Sequence, residues 1–284
     1  MSETNANTTL LNTMKPLGLF SDRATDYVKY RPSYPAAAID TILEGLGDPS
    51  KLTAADVGAG TGIASRMLAE RGVRVSAIEP NAAMRQAADP HPLVEFYDAT
   101  AEATNLPEAF VDVLTSFQAF HWFNPAPTLS EFRRILKPSG RLALIWNDRA
   151  ADDQLSTEFN RLILKAGSNI GRTGKPRGAV DRLLSSSPHF VNVRCHTFTH
   201  RRELDLFGTI GYALSKSFAP REGTAHQQLI SDLKELHARS CDERGFVTLV
   251  YRTTVYLAER QVRDLSRFRI PLESRFLNGW RRLY

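Results

Sequence analysis

From Ala55 to Pro80 the chain reads ADVGAGTGIASRMLAERGVRVSAIEP. Two short apolar runs flank three closely spaced glycines and a stretch of good helix formers. A strand, a tight loop, a helix and a second strand in so few residues leave one economical arrangement: the strands lie parallel in one sheet and the helix crosses over between them. A parallel pair with a helix on one face must be covered on the other. The pattern therefore predicts an open α/β sheet with helices on both sides.

The same rhythm continues along the chain. YPAAAIDTILEGLG reads as a helix, with Pro35 at its first position and Gly47 as its C-terminal cap. LTAADVG, VRVSAIE and LVEFYD read as strands, with helices over 62–71 and 81–88 between them. FVDVLTSF is a buried strand, PTLSEFRRIL a helix closed by Lys137-Pro138-Ser139-Gly140, and RLALIWN a fifth strand. After Asn147 the punctuation changes. Residues 152–166 look helical, GSNIGRTGKPRGA is a basic loop, and VNVRCHTFTHRREL alternates like a strand. Residues 204–241 are helical with a break at Ala219-Pro220, and GFVTLVYRTTVYLAER is a long last strand. The sixth and seventh strands are expected to complete the same sheet, with the helices between them inserted over its edge.

Composition excludes several classes. Apolar residues make up 42% and charged residues 24% of the 284, a soluble globular balance. No apolar run reaches the roughly 18 residues that a membrane-spanning helix needs. The opening MSETNANTTLLNTMK lacks the features of a secretory signal and is read as a disordered tail over residues 1–19. Cys195 and Cys241 are too few and too isolated for a disulfide framework or a zinc site, which fits a reducing, cytoplasmic setting. The net charge of +5 is unevenly spread: the first 150 residues carry 14 Lys+Arg against 17 Asp+Glu, leaving 22 against 14 of the chain's 36 and 31. The basic half fits either an anionic partner or a solvated arginine-rich face.

In an open α/β sheet a ligand sits beyond the carboxyl ends of the strands, where the G-A-G-T-G loop lies. Gly58, Gly60 and Gly62 permit tight backbone turns and close approach of a ligand. Glu79, at the end of the second strand, is placed to accept hydrogen bonds from both hydroxyls of a ribose, so the ligand is read as a nucleoside derivative. A nicotinamide cofactor calls for G-x-G-x-x-G with a helix N-terminus on the pyrophosphate. Here Asp56 precedes the glycines. Its charge would repel a pyrophosphate but suits an ammonium group, which S-adenosylmethionine carries without any phosphate.

DVGAGTG, IEPNAAM, DATAEATNLP, SFQAFHWF and RRILKPSGRLALIWN together resemble class I S-adenosylmethionine-dependent methyltransferases. The likeness is nearest to a small-molecule branch that includes trans-aconitate methyltransferases, in which an Arg-Pro-x-Tyr-Pro segment also precedes the first core helix. The resemblance implies a Rossmann-like, doubly wound, seven-stranded and mostly parallel sheet with a helical insertion between the last strands. It divides the chain into a cofactor-binding core over 20–150 and a second part, 151–284. The second part holds the end of the sheet, a helical substrate-binding cap and a basic C-terminal tail.

Carried over residue by residue, the resemblance puts Asp56, Gly58, Ala59, Gly60 and Gly62 around the methionine moiety and Glu79 on the ribose. Pro80 and Met84 pack on the adenine, although Met84 also suits a core position. Thr100 and Ala101 fall where the family has Asp-Ala, so a side-chain contact at Thr100 departs from the pattern. Gln118 lies near the methionine or methyl group. Tyr27, Tyr30 and Arg31 close the pocket from the N-terminal side, or are packing aromatics and a turn arginine. Glu102 is read as fixing local backbone.

His121 follows the fourth strand and is the candidate general base. In the resembling family His-Trp-Phe recurs among enzymes that methylate carboxylates and need no base, which leaves His121 an orienting or wall residue. Trp122, Trp146 and Asn147 are expected to line the acceptor pocket. Arg149, Arg172, Lys175 and Arg177 are candidates for contact with an anionic acceptor, and YALSKSFAPRE for its roof. His189, His196 and His200 have no metal-like spacing, and no metal is expected. The implied partner is a small-molecule acceptor, with the protein a monomer or homodimer. The favoured chemistry is O-methylation of a carboxylic acid or another hydroxyl, with N-, S- or C-methylation as alternatives. An RNA methyltransferase is a weaker alternative, since no RNA-binding module is recognisable, and a regulator that binds the cofactor without catalysis is a third class.

Overall fold

The computed structural model describes residues 30–167, 177–216 and 218–261. Tyr27, the tail at 1–19, Arg172, Lys175 and the segment beyond 261 lie outside the described residues. Strands β1 (Thr53–Val57), β2 (Arg74–Ile78), β3 (Val94–Tyr97) and β4 (Val111–Phe117) are followed by β5 (Leu136–Arg149), β6 (Phe190–Leu204) and β7 (Val247–Arg260). They form one sheet in the order β3-β2-β1-β4-β5-β7-β6. The first five pair parallel. β7 runs antiparallel between β5 and β6. All seven expected strands are present, in the Rossmann-like arrangement expected of them.

The strand order reverses between β1 and β4, and the glycine loop leaves β1 at that point. β1 and β4 read as continuous apolar runs because both faces are covered: Val57, Val113 and Leu114 are wholly buried. One face packs on α1 (Ala36–Leu43) and α2 (Ile63–Ala69), through Ile39, Ile42 and Leu68. The other packs on α4 (Pro125–Ile135), through Phe132 and Ile135. Full burial of each such side chain contributes about 1.5–3 kcal/mol.

A third cluster holds the cap. α5 (Gln154–Ala166), α7 (Leu206–Leu214) and α8 (Gly223–Ser240) pack Phe159, Tyr212 and Leu233 against Leu249 and Tyr251 of β7. β6 and β7 stay paired beyond the end of β5, from Arg201↔Val250 to Leu204↔Val247, and the helices that connect and flank this antiparallel pair sit there.

Several expected boundaries shift. Pro35 stands one residue before α1 as its N-cap, and α1 stops at Leu43 rather than reaching Gly47. Gly45 follows at φ +76°, a left-handed turn that suits glycine and breaks the helix early. Lys137-Pro138-Ser139-Gly140 ends α4 but already belongs to β5, where the pairing with β4 shifts register between Val111 and Val113. The helical stretch 204–241 is two helices separated by residues 215–222. A further helix, α6 (Arg177–Ser185), precedes β6 where the sequence shows only the end of a basic loop.

Candidate active site

The glycine loop is wired from within. The amides of Gly58 and Ala59 both donate to the Ile78 carbonyl, at 2.9 and 3.1 Å, and that of Gly62 donates to Ala59 O at 3.0 Å. The Gly60 amide donates to Glu79 Oε2 at 2.8 Å. These N–H groups are therefore spent on the protein, which fits the sequence argument against a pyrophosphate cradle. All three glycines are left-handed, at φ +73°, +59° and +72°. A Cβ on Gly58 would stand 2.4 Å from Ala119 Cβ, and one on Gly62 2.9 Å from Phe96 Cζ.

Glu79 is 8% exposed at the end of β2. Its second oxygen accepts from the Asn81 amide at 2.8 Å. Asn81 in turn caps α3 (Ala82–Gln86), accepting from the Ala83 and Met84 amides. Burial raises the Glu79 pKa above the usual glutamate range, opposed by the two amide hydrogen bonds and by Arg85. Arg85 donates to the Glu79 carbonyl at 2.6 Å and to Asp98 at 2.9 Å. Each Glu79 oxygen accepts one amide and so keeps a lone pair for a ligand hydroxyl. Met84 is buried with its Cε 3.5 Å from where a Gly60 Cβ would sit, so its side chain lies against the loop. Pro80 stands between Glu79 and the α3 cap. Ala101 is buried near this end of the sheet and Thr100 is exposed, bridged to Ala103.

Asp56 is 1% exposed, and both its oxygens are engaged. Ser65 Oγ donates at 2.6 Å and Thr115 Oγ1 at 3.0 Å. Burial lifts its pKa to about 6, the two hydroxyls pull it back down, and Glu79 raises it further. Asp56 thus braces β1, α2 and β4 beneath the loop instead of presenting itself to a ligand. Its folded pKa lies above the ordinary 3.8, so its contribution to stability is full below about pH 4 and is lost as the pH rises through about 6. Asp56→Asn should accordingly gain stability relative to the parent, by roughly 2 kcal/mol, on going from pH 4.5 to 7.5. Urea unfolding at the two pH values measures this, and an unchanged difference would show that Asp56 titrates normally.

Between loop and cap lies a cleft. Gly58, Ala59 and Ile63 form one wall, and Gln118 and Asn147, at the ends of β4 and β5, another. Arg31 and Tyr34 close it from the N-terminal segment, and Tyr212 and Lys216 from the end of α7. Gln118 is left-handed at φ +55°, the kind of strain that concentrates at functional sites. Its Nε2 donates to Asn147 O at 2.7 Å. Asn147 Nδ2 reaches Ser33 O at 3.3 Å. The segment is tied to the cap as well: Arg31 Nη2 donates to Ser215 O at 3.2 Å, Arg202 donates to Tyr30 O at 2.6 Å, and the Tyr30 ring lies where a Gly211 Cβ would be.

Four expected site residues do not line this cleft. Trp146 is adjacent to Asn147 in β5, and neighbouring side chains of a strand point to opposite faces. Trp146 packs edge-on against Tyr256, at 5.9 Å, on the far side. His121 and Trp122 sit on a short 3-10 turn, Phe120–Trp122, with their rings 5.1 Å apart. Arg149 does not line the cleft either but stands behind Tyr212, its guanidinium 5.9 Å from that ring and 5.4 Å from Phe159. Glu102 fixes backbone as expected, accepting from the Asn124 amide at the start of α4. Among the described residues, no three His, Cys, Asp or Glu side chains gather as a metal site, and no helix is long and apolar enough to cross a membrane.

Two functional candidates escape a reading of the sequence by residue. Tyr212 is 2% exposed, and Lys216 Nζ donates to its hydroxyl at 2.9 Å. Their i,i+4 spacing was the available signal, but only the fold shows that this face looks into the cleft. Burial opposes ionisation of Tyr212, yet Lys216, Arg149 and Arg31 outweigh it and bring the phenol down to about 7. Lys216 is lowered to about 7 by burial and by the two arginines.

Known proteins agree with this geometry. Residues 55–144 match a family model described as a methyltransferase domain. An uncharacterized methyltransferase of Mycobacterium tuberculosis is 31% identical over 249 residues, covering 83% of this chain and 95% of the relative. A solved structure from Anaeromyxobacter dehalogenans, provisionally assigned as a type II methyltransferase, superposes with a TM-score of 0.62 at 25% identity, over 81% of this chain and 98% of that one. A structure from Anabaena variabilis shares the fold at TM-score 0.57 and 24% identity, over 80% and 98% of the two chains. A family match that takes in the glycine loop and a relative alike along nearly its whole length give one answer: the chain belongs to the methyltransferase family and is an S-adenosylmethionine-dependent methyltransferase.

Proposed function

We propose that the protein transfers the methyl group of S-adenosylmethionine to an oxygen of a small molecule, and that its acceptor is a carboxylic acid. The observation that carries this reading is the set of polar side chains that line the cleft among the described residues: Arg31, Lys216, Gln118, Asn147, Tyr34 and Tyr212, beside apolar neighbours such as Ile63 and Phe117, and without a histidine or carboxylate. A carboxylate, with a pKa near ~4, is ionised at neutral pH and needs no base. The sulfonium cofactor supplies an already activated methyl group, so the protein's work is to position the acceptor and exclude water. The cap and the 30–34 segment roof the cleft, which suits a small acceptor better than RNA. Arg31, Pro32 and Tyr34 of the Arg-Pro-x-Tyr-Pro segment all line it, in keeping with the trans-aconitate methyltransferase resemblance.

The cofactor's assignments follow the same geometry. Glu79 holds the ribose hydroxyls, Pro80 and Met84 flank the adenine, and Gly58, Ala59 and Gln118 surround the methionine end. Asp56 favours the cofactor's positive charge from beneath the loop without touching it. Residues 20–150 form the cofactor core, and the cap within 151–284 reads the acceptor.

A second reading rests on the Tyr212–Lys216 pair. Each group is brought down from its ordinary range, Tyr212 by the neighbouring cations and Lys216 by burial, and both line the cleft. They could therefore take the proton of a phenolic or enolic hydroxyl as its oxygen attacks. One experiment separates the two. The protein is incubated with methyl-labelled S-adenosylmethionine and a small-molecule extract of its source cells, and the product is treated with mild base. Release of labelled methanol marks a methyl ester and a carboxylic acid acceptor. A base-stable label overturns that reading in favour of the protic acceptor.

A further inference from the structure

Behind the cleft, cations converge on one phenol. The Arg149, Arg202 and Lys216 head groups lie 5.9, 5.6 and 4.4 Å from the centre of the Tyr212 ring, which stacks on Phe159 at 5.6 Å. Arg149 donates Nη2 to Asn160 Oδ1, a neutral partner. Its Nε and Nη1 are buried with no hydrogen-bond partner, and no carboxylate pairs with Arg149 or Arg202 among the described residues. Elsewhere on the surface the structure pairs its arginines freely, as in Arg71 with Asp40, Arg85 with Asp98 and Arg239 with Glu158. A buried guanidinium left with two idle donors is costly unless something completes it. A carboxylate is the natural complement, since its two oxygens match the guanidinium fork. Tyr212 and Lys216 border the cleft directly, and the Arg149 guanidinium lies 5.9 Å from the Tyr212 ring centre.

We infer that Arg149, Tyr212 and Lys216, with Arg31 at the mouth, form an anion-receiving subsite that takes a carboxylate of the methyl acceptor. This rests on the reading of the cleft as the acceptor site. The cofactor's own methionine carboxylate has the same chemistry and is the other possible source of the anion. With an anion seated, Lys216 turns from Tyr212 toward the ligand and the idle Arg149 donors are used. Tyr212 then serves as a neutral hydrogen-bond donor. Selectivity follows: an amide of the same shape offers one acceptor oxygen and no charge, so it is refused.

The test uses the full-length protein saturated with S-adenosylhomocysteine and titrated calorimetrically with succinate and benzoate, and with succinamide and benzamide as neutral matches. At least one of the carboxylates is expected to bind at least tenfold more tightly than its amide. Arg149→Gln and, separately, Lys216→Gln are expected to remove that preference, with S-adenosylmethionine affinity within twofold of the parent. Two variants are used because Arg149 also packs on Phe159, whereas Lys216 lines the cleft wall. Equal binding of acids and amides by the parent, or a preference that survives both substitutions, overturns the subsite. If the variants instead lose affinity for S-adenosylmethionine but keep it for 5′-methylthioadenosine, which lacks the amino acid, the cluster serves the cofactor and the acceptor assignment is wrong. Carboxylate binding that persists where labelled S-adenosylmethionine yields no methyl ester would leave the subsite standing and remove the ester-forming reading alone.

Discussion

Glu79→Ala is expected to weaken binding of S-adenosylmethionine by at least about 100-fold while leaving a folded protein. Two hydrogen bonds from ribose hydroxyls to a charged acceptor contribute about 1.5–3 kcal/mol each, which sets that magnitude. The carboxylate also holds the Gly60 and Asn81 amides at 2.8 Å, so its loss loosens the glycine loop and the start of α3 together. Glu79→Gln is expected to fall between the two, because its amide nitrogen would face one of those N–H donors. The raised pKa of Glu79 adds a pH dependence of definite sign. Protonation removes acceptor capacity, so cofactor affinity should fall as the pH is lowered, with a midpoint above the ordinary 4.5. Calorimetric titration of the variants and of the parent across pH 4–8 measures both effects. Unchanged affinity in Glu79→Ala would remove the ribose assignment.

Gly58→Ala is expected to have the second largest effect. The added Cβ meets Ala119 Cβ at 2.4 Å and Phe123 Cζ at 3.0 Å, and the residue must keep φ +73°. Neither neighbour can yield easily, since Ala119 is 8% exposed and stands two residues past β4 while Phe123 packs against Phe120. Strain of this kind costs about 1–3 kcal/mol. It falls on the wall shared by the loop and the cleft, so cofactor affinity should drop along with the unfolding midpoint in urea. Gly60→Ala makes the useful contrast. Its Cβ finds only Met84 Cε at 3.5 Å, an ordinary contact, and φ +59° is the left-handed conformation in both cases. Equal losses at the two positions would mean that backbone strain alone, without the clash at Ala119, sets the requirement for glycine.

The sheet was legible in the sequence because its signals are local. Apolar runs such as VDVLTSF, bounded by turn residues, announce strands wherever the sheet is covered on both sides. The glycine loop and Glu79 were legible for the same reason, since a crossover between parallel strands brings Gly60 and Glu79 together with little help from the rest of the chain. Boundaries were harder. Lys137-Pro138-Ser139-Gly140 reads as a stop, yet β5 starts at Leu136 because the edge of β4 was there to pair with.

The acceptor side was much less legible. Tyr212 and Lys216 stand about 150 residues beyond the glycine loop and meet it only because the connection from β6 to β7 carries α7 back over the sheet. Trp146 and Asn147 look equivalent in the sequence, but the pleat of β5 sends one to the cleft and the other to Tyr256. His121 drew attention by residue type and by its position after β4. The 3-10 turn at Phe120–Trp122 instead sets its ring against Trp122, outside the lining of the cleft.

The central claim is that the loop and Glu79 form a site for a sulfonium nucleoside and not for a dinucleotide. Equilibrium titration of the parent protein with S-adenosylmethionine, S-adenosylhomocysteine and NAD in parallel tests it most directly. The account predicts saturable one-to-one binding of the first two in competition with each other, and none of NAD at the same concentrations. Binding of NAD, or no binding of S-adenosylmethionine at millimolar concentration, would contradict it.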